Sequence, residues 1–301
     1  MGCGASKAAL LLPHPAVDTE FGPIEGKRIL LRDRRVVNVF LGVPFAEPPI
    51  GNRRFKRPES PEPWTKTLPC KVYKKRPMQT NYIWDITHTG RGVSEDCLYL
   101  NIMAPAWSNK EFKNGFPVCV YVHGGGYVMD SAAGYRYGNI ARTLVSKEVL
   151  VVTPEYRLGY FGFFCLDDKH CKGNFALWDQ AMALKFVKDN IAKFGGDPEK
   201  ITVMGQSAGG TSTDLLSLSP ITRDLFHQKI CMAGSAENQW SMSEKEWVIK
   251  RCREKALKLG FVRTSESPEW TEEENKQCME YLRKLPSAKL VYPVHSKFNI
   301  F

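Results

Sequence analysis

The chain has 301 residues, 43% of them hydrophobic and 25% charged, and 42 Lys and Arg against 32 Asp and Glu leave a net charge of +10. That balance is that of an ordinary soluble globular protein with one large domain or two smaller ones. No apolar run approaches the roughly 18 residues needed to cross a bilayer, so a transmembrane helix is not expected.

Nine cysteines, an odd number spread over a long chain, argue against a disulfide scaffold and predict that most are reduced. The basic excess is compatible with an anionic membrane surface without requiring one. The run Lys71, Lys74, Lys75 and Arg76 has only Tyr73 interleaved, so it reads as a solvated loop face and not as a nucleic-acid site.

The chain opens Met1-Gly2-Cys3-Gly4-Ala5-Ser6, which fits the N-myristoylation pattern. Cys3 offers a palmitoylation site beside Gly2, and stable anchoring needs such a second chain because a single myristoyl group binds only marginally and reversibly. The apolar stretch 8–12 is cut by Pro13 and Pro15, which makes it too short for a secretory signal. These features predict a lipidated segment over 1–19 that holds a cytoplasmic protein on the inner face of a membrane, followed by a folded domain over 20–301.

Along that domain, period and composition predict strands at 35–41, 98–103, 118–122, 149–154, 201–204 and 229–232. Helical patterns fall at 137–146, 175–193, 207–218, 245–259 and 272–285. Strands alternating with helices at this spacing predict an α/β fold with a mainly parallel sheet and helices on both faces. The Pro-rich segment 44–63 reads as an extended surface excursion, since each proline removes a donor and biases its predecessor away from helix.

Gly205-Gln206-Ser207-Ala208-Gly209 follows one predicted strand and opens a predicted helix. Small flanking residues there permit the tight strand-to-helix turn that projects a nucleophilic serine. Alone the pattern is weak, because it should arise by chance in roughly one chain in ten of this length. The tetrapeptide His123-Gly124-Gly125-Gly126, directly after the strand at 118–122, adds the missing weight. Successive glycines let a backbone approach a ligand with its N–H groups turned inward, as an oxyanion hole requires.

Six ordered blocks sit around these two motifs. They are Phe40-Leu41-Gly42-Val43-Pro44-Phe45-Ala46, Arg54-Phe55, Glu95-Asp96-Cys97-Leu98-Tyr99-Leu100-Asn101, Tyr156-Arg157-Leu158-Gly159, Gly173-Asn174-Phe175-Ala176-Leu177-Trp178-Asp179-Gln180, and Phe194-Gly195-Gly196-Asp197-Pro198 with Ile201-Thr202. With the elbow they resemble the cholinesterase and carboxylesterase (type B) family of the α/β-hydrolase fold. The resemblance implies that Ser207 is the nucleophile and that the backbone N–H groups of Gly125, Gly126 and Ala208 are the oxyanion donors. It also implies a small-molecule carboxylic ester as substrate, chemistry that needs no metal or cofactor, and a disulfide between Cys70 and Cys97. A cytosolic address conflicts with that disulfide, because the reducing pool there favours free thiols.

The family's acid and histidine lie much farther past the serine than the 94 residues that follow Ser207 here. Only His227 and His295 follow it, and both read as surface or packing residues; Glu155 and Glu237 are ordinary acidic candidates. Glu155 also stands where the family more often has Asn. A serine hydroxyl is a poor nucleophile until a base takes its proton. This chain is therefore expected to be inactive or weakly active by itself, and its sheet is expected to end soon after the nucleophile strand with an unpaired edge. The alternative reading is a membrane-tethered, non-catalytic relative that binds without turnover. Trp84, between Cys70 and Cys97, either lines the approach to the site or packs.

Overall fold

The computed structural model describes residues 13–80 and 92–291. Gly2, Cys3, Trp84 and His295 lie outside the described residues. Seven strands build the main sheet: β1 (Lys27–Leu30), β2 (Val36–Pro44), β3 (Tyr99–Pro105), β4 (Phe116–Val122), β5 (Leu150–Pro154), β6 (Gly196–Gln206) and β7 (Gln228–Met232). The α-helices among the described residues are α1 (Tyr137–Thr143), α2 (Gly159–Phe163), α3 (Phe175–Asn190), α4 (Ala208–Leu218), α5 (Lys245–Lys258), α6 (Glu272–Lys284) and α7 (Ser287–Leu290).

The spatial order is β7-β6-β4-β5-β3-β2-β1. The run from β7 to β5 is parallel, as expected of strands joined through helices. From β5 through β3 and β2 to β1 the pairing is antiparallel. Side-chain period reveals that a segment is a strand but not its direction, so this half of the sheet was not legible as antiparallel. Ala16–Asp18 also pairs with Pro23–Glu25, which places regular structure inside the segment 1–19 expected as a tail.

Alternation along the strands divides the core in two. Val118, Val120 and Val122 of β4 point into a cluster with Leu150 and Val152 of β5, covered by Ala183, Leu184, Phe186 and Val187 of α3 and by Leu216 of α4. Cys119, Val151 and Met103 face the other way, under Ile140 and Ala141 of α1. Helices thus lie on both faces. A separate cluster joins Phe161 of α2 to Cys252 of α5 and to Cys278, Met279 and Leu282 of α6. Helix α6 begins with a reciprocal cap between Thr271 and Glu274, and its acidic first turn and basic last turn both suit the helix dipole.

Two ion pairs, one buried and one largely so, tie distant sequence blocks together. Arg54 grips Glu95 with both forks, at 2.7 and 2.5 Å, and its remaining nitrogen donates to the carbonyls of Leu282 and Leu285 at the end of α6. Arg157 meets Asp179 through Nε at 2.8 Å, Nη2 at 2.6 Å and its own amide at 3.0 Å. Both members of the second pair are buried.

The basic run departs from its expected role. Lys74 and Lys75 are exposed, but Arg76 is buried at 2% relative exposure, because the chain turns inward there to pair Arg76–Pro77 with Val93–Ser94. At the far side of the sheet β7 pairs only with β6 among the described residues, and Ile230 and Met232 are 46% and 37% exposed. The expected edge is present.

Removing one member of a buried, fully bonded ion pair leaves the other charge without compensation, at a cost of about 3–5 kcal/mol. Asp179→Ala and Arg157→Ala are each expected to lose that much in urea unfolding, and the double variant less than the sum because the two act as a unit. Strictly additive losses, or losses well under about 1 kcal/mol, would show that the pair does not hold these blocks together.

Candidate active site

Ser207 lies between the last residue of β6 and the first of α4, with φ 55° and ψ −124°. A left-handed non-glycine residue costs on the order of 1–3 kcal/mol and persists only where its surroundings impose it. Here they do. Its amide donates to the Met232 carbonyl at 2.8 Å, and its carbonyl accepts from Thr211 at 3.0 Å. The turn is sharp because backbones crowd it. A methyl group at Gly205 would sit 2.2 Å from the Gly209 carbonyl oxygen, one at Gly209 would sit 2.1 Å from that of Val122, and one at Gly234 would sit 2.1 Å from that of Ser207. The elbow is therefore closed by glycines from β6, α4 and the loop after β7.

The triplet after β4 leans on the same turn. A Cβ at Gly124 would stand 2.5 Å from the Gln206 carbonyl oxygen and 3.3 Å from the Ser207 Cβ. Gly125 and Gly126 follow at φ 88° and 59°, and Tyr127 at 61°. Three successive positive φ values turn the chain tightly here, and glycine at the first two adopts them without a Cβ penalty. The amide of Ala208 begins α4, where helical N–H groups have no intrahelical partner. Among the described residues, none of the amides of Gly125, Gly126 and Ala208 donates a hydrogen bond. The structure sets Gly124 against the Ser207 turn, with Gly125 and Gly126 directly after it and Ala208 opening α4.

Among the described residues, no histidine is hydrogen-bonded to Ser207. His227 sits at the opposite end of β6, with its Nδ1 3.4 Å from the Ile201 amide and its Nε2 3.4 Å from Glu199. Six residues of strand separate that contact from Ser207, roughly 20 Å at about 3.3 Å per residue. Glu237 is exposed on the loop after β7. No side chain among the described residues is hydrogen-bonded to the Ser207 hydroxyl.

Glu155 has a definite partner set. Its Oε1 accepts from the Ala132 amide at 3.0 Å, and its Oε2 lies 3.4 Å from Nε2 of the fully buried His123. Tyr156, which the sequence marked only as part of a block, stacks on His123 and donates its hydroxyl to the His123 carbonyl at 2.7 Å. Its signal in the sequence was adjacency to Arg157, and its role came only from the fold.

Cys70 and Cys97 are both buried and both free thiols, so the disulfide that the resemblance implies is not formed in this structure. Burial pushes the Cys70 thiol up to about 12 and raises Cys97 as well.

A model of the Carboxylesterase family matches residues 13–299. The chain belongs to the carboxylesterase family. It is 41% identical over 272 residues to esterase cest-33 of Caenorhabditis elegans, an overlap of 89% of this chain and 49% of that protein. It is 42% identical over 242 residues to carboxylesterase 5A of Mus musculus, covering 77% of this chain and 41% of the relative. With liver carboxylesterase 1 of Oryctolagus cuniculus it shares 40% identity over 256 residues, 79% of this chain and 44% of the relative. The chain thus spans about half the length of the curated relatives it matches. Its family accounts for the α/β-hydrolase arrangement of sheet, elbow and glycine loop.

The crowding at the elbow predicts the outcome of adding one methyl group. Gly209→Ala forces a Cβ against the Val122 carbonyl and is expected to cost about 1–3 kcal/mol in urea or thermal unfolding. A variant as stable as the parent would mean that the β4 and α4 backbones have room to separate.

Proposed function

We propose that this chain carries the nucleophile and oxyanion donors of a serine carboxylesterase that acts on small carboxylic esters. In this reading the Ser207 Oγ attacks the acyl carbonyl, and the Gly125, Gly126 and Ala208 amides hold the oxygen as it gains charge. The alkoxy group departs as an alcohol, and water then releases the acid from the acyl-enzyme. The observation that supports it is a glycine loop packed against a serine held in a left-handed turn, with three amides that donate no hydrogen bond among the described residues.

Both steps need a proton acceptor, and among the described residues none bonds to Ser207. Members of such a unit act together, so loss of the base costs nearly as much as loss of all. A well-formed oxyanion hole still leaves roughly a thousandfold over water. The same observation favours a second reading, a binding relative without turnover.

An external base separates the two. The purified chain is expected to hydrolyse a chromogenic acetyl ester no faster than Ser207→Ala in plain buffer. With added imidazole as proton acceptor, the parent should exceed Ser207→Ala at least several-fold. Identical rates with imidazole would favour the binding reading, and fast Ser207-dependent hydrolysis without it would reveal a base outside the described residues.

For the N-terminus we infer myristoylation of Gly2 and palmitoylation of Cys3, which would place the protein on the cytoplasmic face of a membrane. The support is the motif Gly2-Cys3-Gly4-Ala5-Ser6. Metabolic labelling with a myristate analogue should mark the parent and not Gly2→Ala; equal labelling would refute the assignment.

A further inference from the structure

The loop that carries the oxyanion amides runs from His123 to Ala132, and one carboxylate touches both of its ends. Glu155 takes the Ala132 amide on Oε1 at 3.0 Å and presents Oε2 to His123 Nε2 at 3.4 Å. That distance is an ionic contact and not a hydrogen bond, and neither atom has another partner. His123 is 0% exposed and Glu155 6%. The other ring nitrogen, Nδ1, lies 3.1 Å from the Gly124 carbonyl oxygen.

A neutral imidazole donates from one nitrogen only, and a carbonyl oxygen can only accept. Here both nitrogens face acceptors. With Glu155 ionised, the arrangement is satisfied in full by an imidazolium and by neither neutral tautomer. We propose that Glu155 is a positioning residue that keeps His123 as a buried imidazolium, and that this cation fixes the direction of the oxyanion amides. The proposal rests on the esterase reading for its catalytic consequence but not for the pair itself.

The geometry that transmits the effect is the planarity of the trans peptide. The Gly124 carbonyl and the Gly125 N–H belong to one peptide unit and point in opposite directions. Holding that carbonyl on the imidazolium therefore aims the Gly125 N–H away from His123. The Tyr156 hydroxyl reinforces the same unit, reaching the carbonyls of His123 at 2.7 Å and of Gly124 at 3.3 Å. A positive charge one residue from the hole also favours the oxyanion directly.

Burial works against the cation, and Glu155 together with Asp130 and the Gly124 carbonyl more than offsets it, so the affinity of His123 for its proton is raised. Asp130, whose own oxygens are engaged by the Ser131 amide and the Tyr135 hydroxyl, contributes in the same sense. Among the described residues, Tyr73, Tyr156 and Cys97 also interact with Glu155, and Tyr121, Tyr135 and Tyr156 with Asp130; burial raises every one of these groups. A histidine with a raised folded value lends stability that is complete below its unfolded value of about 6.5 and is lost as pH rises through the folded value.

Nitrogen-15 NMR of the histidine-labelled chain tests the pair, with His123 assigned by single replacement of the other five histidines. The expected spectrum has both His123 nitrogens protonated at pH 7.5 in the parent and in Asp130→Asn, and a neutral ring in Glu155→Gln. A neutral His123 in the parent overturns the proposal, even if Glu155→Gln proves too unstable to study. In the imidazole-assisted assay Glu155→Gln should lower kcat about tenfold with KM unchanged, and an unchanged kcat beside a neutral His123 also overturns it. Failure of the esterase reading would appear instead as turnover that ignores Ser207, leaving the spectrum to decide the pair.

Discussion

A serine can be held in the left-handed region at the end of a strand only where the surrounding backbone leaves it no alternative. At Ser207 that confinement is a matter of interatomic distance. The strand before the serine, the helix after it, the neighbouring strand β4 and the loop after β7 all approach to separations that a single Cβ would violate. Glycine at 205, 209 and 234 is thus a packing requirement as well as a turn requirement. The same closeness brings Gly124 against Ser207, so the glycine loop and the elbow are assembled by one set of contacts.

The elements that bear this site are fixed from farther away by paired charges. Arg54 and Glu95 belong to two blocks separated by a long excursion, and they meet in the interior while closing the carbonyl end of α6. Arg157 and Asp179 join the turn after β5 to α3 in the same manner. Such pairs are costly to desolvate and contribute little net stability, yet each is severe to break. They act as registration points that hold α3, α6 and the β5 turn at set positions around the sheet. Glu155, in that same turn, extends the arrangement to the glycine loop.

Much of this was legible in the chain. The strands 118–122 and 149–154 and the helices 175–193 and 245–259 emerged within a few residues of their observed limits because their apolar residues keep one period throughout. The elbow and the glycine triplet were legible because backbone proximity demands a particular residue, and that residue has no side chain to disguise the demand. Direction was not legible: β2 and β3 have the same alternation whether paired parallel or antiparallel. Nor was the inward turn at Arg76, since a charged residue in a basic run gives no sign of being taken into the interior.

The sequence by itself determined which residues form the turn, where the amide donors stand along the chain and to which family the blocks belong, because those depend on local backbone freedom and order. Tertiary structure alone decided which charges meet. Glu155 and His123 are separated by a helix and a strand, and nothing in their local sequence links them. The fold closes that distance to an ionic contact, since parallel neighbours β4 and β5 end side by side at the same edge of the sheet. It likewise left Cys70 and Cys97 as buried thiols and sent His227 to the far end of the nucleophile strand, where strand length keeps it from the serine.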